Sequence, residues 1–276
     1  MTRGRADDGA SWLGLAAVLA LGALVVACAG PDGGRFDANA PWTRALEWRP
    51  GDVQPWRWWT AAWVHWSPAH LAVNLLGAAA IAFVGWRARL PRAAALAWFV
   101  AWPLTQALMD LPGAARLAGT LQHYGGLSGV LHAGVVVLAL CLLRTQAPAP
   151  PPRPDAPTTH ATVAPSRITE GPWAMTALED GSAWQRLDEP PWPEPLVPLA
   201  PAQARRHRLV GAALLAGTLA KVLLEAPWDL ALRPSAMLGI QVAPLAHACG
   251  VTAGAVAWGL VALAGRLRRP EAAVGH

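Results

Sequence analysis

Ser128 lies in YGGLSGVLHAG (residues 124–134), fenced by glycines and one helical turn ahead of His132. A serine hydroxyl is a weak nucleophile until a base within hydrogen-bond reach takes its proton. Alone in an apolar helix, such a serine more often bonds back to its own carbonyls. His247, in APLAHACGVTAG, is a candidate base, because Gly250 and Gly254 behind it form a small-xxx-small face that lets another helix come close. GGLSG offers a matching thin surface. Peptide hydrolysis also needs donors aimed at an oxyanion. His70 and Asn74, four apart in HLAVN, share a helical face and can address one oxygen. The backbone N–H of Ser128, near a helix start with Gly126 easing approach, offers a third donor.

These residues sit in a chain that reads as an all-α polytopic membrane protein. Of its 276 residues 54% are hydrophobic and only 14% charged, with a single tyrosine and three phenylalanines to build a soluble core. Six runs are long enough to cross about 30 Å of hydrocarbon: residues 11–29, 68–86, 93–111, 126–144, 209–225 and 243–264. Lys221, near one end of the fifth, is placed to snorkel. Arginines cluster before the first span (Arg3, Arg5), between the second and third (Arg87, Arg89, Arg92), around the fourth and fifth (Arg144, Arg205, Arg206, Arg208) and after the sixth (Arg266, Arg268, Arg269). All fall on one side of a six-span weave, so the N and C termini are expected to be cytoplasmic.

The remaining segments divide the chain. Residues 1–144 hold helices 1–4, with a Trp-rich outer loop at 30–67 (Trp42, Trp48, Trp56, Trp58, Trp59, Trp63, Trp66) suited to the headgroup layer. Residues 145–204, with APAPPPRPDAP and DEPPWPEPLVPLAP, read as a disordered cytoplasmic insert. Residues 205–276 carry helices 5 and 6 and a basic tail. In this weave His65, His70 and Asn74 near the start of span two, Asp110, Ser128, His132 and His247 all lie toward the outer face. A pore or transporter fits poorly, since the polar residues stop in that half. The positive charge follows topology and the lipid bilayer, so no nucleic acid partner is expected. Cys28, Cys141 and Cys249 have no metal-ligand spacing, and no HExxH occurs, so neither a metal nor another cofactor is expected. LVVACAG imitates a lipoprotein cleavage box at Cys28, but the weave works best with the first span retained.

In order, WRWWTAAWVHWSPAHLAVN, GLSG and HACGVTAG resemble three motifs of the rhomboid intramembrane serine proteases: the His-x-x-x-Asn entry to the second helix, the Gly-x-Ser-Gly of the fourth and the His-x-x-Gly-x-x-x-Gly of the sixth. GLSGVLHA is similar to the rhombosortase branch, bacterial enzymes that process C-terminal Gly-Gly-type sorting segments. The resemblance implies a six-helix rhomboid-like bundle in a bacterial inner membrane. It makes Ser128 the nucleophile, His247 the base, His70 and Asn74 the oxyanion helpers, and His65 a structural histidine. Gly126, Leu127 and His132 are expected to meet the substrate, a membrane-anchored protein. Many family members have tyrosine where this chain has His132, which shares a face with Ser128 and so stands as an alternative base. A non-catalytic relative that holds client helices is the rival reading.

Overall fold

A computed structural model describes residues 9–29, 36–145 apart from 38, 53 and 118, 175–177, 184–186 and 200–267. The elements run α1 (Ala10–Ala29), α2 (Pro41–Leu46), α3 (Arg57–Thr60) with a 3-10 turn (Ala61–Trp63), α4 (Pro68–Arg87), α5 (Arg92–Leu108), α6 (Ala114–Leu117) and α7 (Ser128–Leu143). They continue with β1 (Met175–Ala177), β2 (Trp184–Arg186), α8 (Pro201–Leu224), a 3-10 turn (Pro227–Asp229), β3 (Arg233–Ser235), β4 (Ile240–Val242) and α9 (Pro244–Leu267). Proline opens α2, α4, α8 and α9, where its fixed φ suits a first helical turn and its missing N–H leaves no bond unmade.

The chain is mostly helical, and α1, α4, α8 and α9 are apolar and long enough to cross a membrane. The expected spans at 93–111 and 126–144 are the shorter helices α5 and α7, of 17 and 16 residues. At 1.5 Å per residue α7 reaches only about 24 Å. Its place explains this: α7 packs against α4, α5 and α9 and is the most enclosed of the helices, so protein rather than lipid or water surrounds it.

Two tryptophans outside the Trp-rich loop work in the interior. Trp12 and Trp98 are wholly buried and stack on each other at 4.5 Å. Their indole N–H groups donate to the carbonyls of Ile81 (3.0 Å) and Val130 (2.9 Å), tying α1 to α4 and α5 to α7. The described part of the 30–67 loop is folded, not merely interfacial. Buried Arg57 donates to the carbonyls of Arg44 (2.6 Å) and Glu47 (2.7 Å), and Trp48 exchanges two backbone bonds of 2.9 Å with Tyr124. This loop thereby braces the segment leading into Ser128.

The chain divides into two compact units, residues 1–145 with 205–276, and residues 146–204. In the second, β1 pairs antiparallel with β2, Met175 opposite Arg186; α8 begins at Pro201, so the last four residues of the expected disordered insert are helical, and apart from these strands and residues 145 and 200–204 the insert lies outside the described residues. So do Arg3, Arg5, Arg268 and Arg269, four of the charges behind the expected orientation.

The expected thin seam is present between α7 and α9. A Cβ on Gly250 would lie 2.0 Å from the carbonyl oxygen of Gly129, one on Gly254 2.6 Å from that of Ala133, and one on Gly129 2.8 Å from that of Ala246. Backbone meets backbone here, with no flexible side chain to yield. Gly250→Val should therefore part the helices and lower stability by about 1–3 kcal/mol or more, read as a reduced thermal midpoint in detergent, whereas the same change at Gly259, where nothing lies within 4 Å, should be near neutral.

Candidate functional site

The site forms where α4, α7, α8 and α9 meet. Ser67 caps α4 in extended conformation, its hydroxyl accepting the N–H of His70 at 3.0 Å and donating to the carbonyl of Leu238 on the β3–β4 turn. The cap sets the start of α4 and so which way His70 and Asn74, one turn apart and both buried, face. Asn74 donates its amide N–H to His65 Nε2 at 3.1 Å, and His65 Nδ1 in turn donates to the carbonyl of Trp63 at 3.1 Å. One amide hydrogen of Asn74 is thus committed, the other is not.

Gly126 precedes α7 with φ +132°, a conformation other residues rarely adopt, and its N–H bonds to the carbonyl of Ala61 at 2.9 Å. A Cβ at Gly126 would stand 2.8–2.9 Å from the His70 imidazole. Close apposition of His70 to the GGLSG turn therefore depends on the missing side chain. Tyr124 steadies the same turn: its hydroxyl lies 3.2 Å from Gly126 O, 3.2 Å from Ser128 Oγ and 3.4 Å from the Gly129 N–H. Burial pushes its phenol above the ordinary value, so it stays protonated.

Ser128 begins α7, and its Oγ lies 3.1 Å from His247 Nε2 on α9. The two residues flank the glycine seam, and that seam brings them together. On the other side of the imidazole, Nδ1 lies 2.6 Å from Glu225 Oε2, while Lys221 Nζ lies 2.6 Å from Glu225 Oε1 and 3.2 Å from His247 Nδ1. The His132 ring stacks on His247 at 4.3 Å, nearly parallel, and its Nδ1 donates to the carbonyl of Ser128 at 2.6 Å.

His70, Asn74, Ser128, His132, Lys221, Glu225 and His247 all line one cavity of about 1110 Å3. Beyond this polar end the walls are apolar, with Val73, Ile81 and Val84 from α4, Leu131, Val135 and Leu138 from α7 and Leu214 from α8; residues of the β3–β4 hairpin also line the cavity. From Asn74 to Val84 the groove follows α4 for about 15 Å.

Every residue expected in the chemistry is thus in one place, with departures. Leu127, expected to meet the substrate, is fully buried in the apolar core and is not among the cavity-lining residues, because the helical backbone just before Ser128 turns it inward. Gly126 acts through its backbone and the space it leaves to His70. Lys221, its side chain half-exposed, also bonds Glu225. Asp110 does not line the cavity. Among the described residues no group of three or more His, Cys, Asp or Glu is arranged to hold a metal. Glu225, Tyr124 and the hairpin were missed, although the i,i+4 pair Lys221 and Glu225 in an apolar run was a visible signal. No protein-family model, curated protein or solved structure matches this chain.

Burial brings His65, just ahead of α4, down to about 4 from its ordinary 6.5, against the smaller raising effect of the Trp63 carbonyl. Between those values the unfolded chain binds a proton that the folded one does not. Its contribution is therefore whole above pH 6.5 and is lost progressively as the pH falls toward 4, by about 3 kcal/mol. Histidine NMR should show His65 neutral down to pH 5, and His65→Phe should flatten the acid limb of a stability-against-pH curve.

Proposed function

We propose that this chain is a rhomboid-type intramembrane serine endopeptidase of the rhombosortase-like branch, cleaving membrane-anchored proteins near the outer face of a bacterial inner membrane. On this reading α1, α4, α5, α7, α8 and α9 all span, with both termini cytoplasmic. The observation that carries it is the 3.1 Å contact of Ser128 Oγ with His247 Nε2 at the polar end of an otherwise apolar groove.

His247 takes the proton from Ser128 as Oγ attacks the scissile carbonyl. The oxygen of the tetrahedral intermediate is held by the free amide hydrogen of Asn74, by His70 and by the Ser128 N–H, which has no partner within its own helix. The imidazolium then protonates the leaving amine, the C–N bond breaks and an acyl-serine remains. Water, deprotonated by the same histidine, releases the acid.

The groove suits a segment entering from the bilayer. A substrate helix must unwind before its backbone reaches Ser128, and glycine is the residue that costs least to unwind. This agrees with a C-terminal Gly-Gly-type segment as substrate. His132 has its Nδ1 bonded to its own helix and its face against His247, which favours His247 as the base. A non-catalytic holder of client helices would use the same groove, but it has no need of a serine within bonding distance of a histidine.

A fluorophosphonate probe on the detergent-solubilised protein tests this. Wild type and His132→Ala should label, whereas Ser128→Ala should not and His247→Ala should be slower by about 100-fold or more. Labelling that depends on His132 but not His247 would make His132 the base, and a folded wild type that never labels would remove the enzymatic reading.

A further inference from the structure

We infer that Glu225 is the positioning residue of the dyad, accepting the Nδ1–H of His247 so that the bare Nε2 faces Ser128, with Lys221 holding the second carboxylate oxygen. The inference rests on the serine-protease reading above and extends it from two residues to a relay of four.

Two atoms crowd His247 Nδ1, and their chemistry decides the tautomer. An ammonium has only donors and a carboxylate only acceptors. Were Nδ1 bare, Lys221 at 3.2 Å would be its donor and Glu225 Oε2, at 2.6 Å, would face it with no hydrogen between two acceptors. With Nδ1 protonated, the short contact becomes a charge-assisted bond, Lys221 bonds Glu225 Oε1 at 2.6 Å, and Nε2 is left to receive the serine proton. No other group facing the ring competes. His132 on α7 commits its Nδ1 to the Ser128 carbonyl, and His70 lies across the cavity on α4.

The backbone around Glu225 is consistent with a position set for a purpose. Glu225 follows the last turn of α8, and the next residue, Ala226, has φ +49°, followed by Leu230 at φ +57°, both left-handed without glycine. Such residues are strained and persist where surroundings hold them. The turn they form ends α8 with the carboxylate against His247.

Progress curves with the fluorophosphonate probe at varied concentration separate reversible affinity from the acylation rate. Glu225→Gln should acylate about 100-fold or more slowly, because its amide can donate to Nδ1 and favour the wrong tautomer. Its probe affinity should stay within about twofold and its thermal midpoint near wild type. Glu225→Asp, retaining the carboxylate, should recover most of the rate. NMR of protein labelled with 15N-histidine reads the wild type directly: the His247 proton is expected on Nδ1. A proton on Nε2, or Glu225→Gln acylating like a reactive wild type, overturns the inference alone. A rate loss matched by a loss of probe affinity and melting temperature, and not recovered by Asp, overturns it in favour of a pin between α8 and α9. A folded wild type that never acylates overturns the parent reading and this one together.

Discussion

Two helix backbones touching without side chains between them is the constraint on which the rest depends. In lipid, apolar surface gains little by leaving one hydrocarbon for another, so helices are held by close packing and by polar contacts. The carbonyls of Gly129, Ala133 and Ala246 fill the space where side chains on α9 or α7 would otherwise stand. Ser128 is the neighbour of Gly129, and His247 lies one turn before Gly250. Once the glycines meet, the hydroxyl and the imidazole have little freedom to be elsewhere.

The polar groups around that seam are joined to one another rather than left singly. A buried ion without partners is heavily penalised, while a chain in which each donor finds an acceptor is tolerated. Lys221, Glu225, His247 and Ser128 form such a chain, and Trp63, His65 and Asn74 form another on the opposite wall. Beyond both, the groove is aliphatic. The polarity is confined to one end, so that only a segment reaching that end meets it.

How much of this was legible in the sequence depends on whether the signal was local. His70 with Asn74, and Gly250 with Gly254, are one-turn spacings, and helical geometry alone puts each pair on one face. Serine among glycines in an apolar run was an equally local anomaly. Glu225 was not legible as a partner of His247, because 22 residues and a β-hairpin separate them and no periodicity links them. Lys221 was read for its reach to water alone, although Glu225 stands one helical turn after it in the sequence. Tyr124 was passed over because its role comes from being clamped by Trp48, a contact across the Trp-rich segment. Trp12 and Trp98, outside the Trp-rich loop, carried no local signal of their role as interior donors to helix carbonyls. The shortness of α5 and α7 depended on how their neighbours enclose them, which composition does not record.

The serine and its histidine are 119 residues apart in the chain. At about 5–20 residues per second, a ribosome completes α7 on the order of ten seconds before α9 exists. During that interval the membrane holds a nascent chain with the serine in place and no base beside it. Lys221 and Glu225 emerge after Ser128 and shortly before His247, so on the proposed reading the imidazole on α9 is the piece that joins the two ends. A chain truncated before α9 lacks His247, and on the proposed reading activity begins only once α9 has been made.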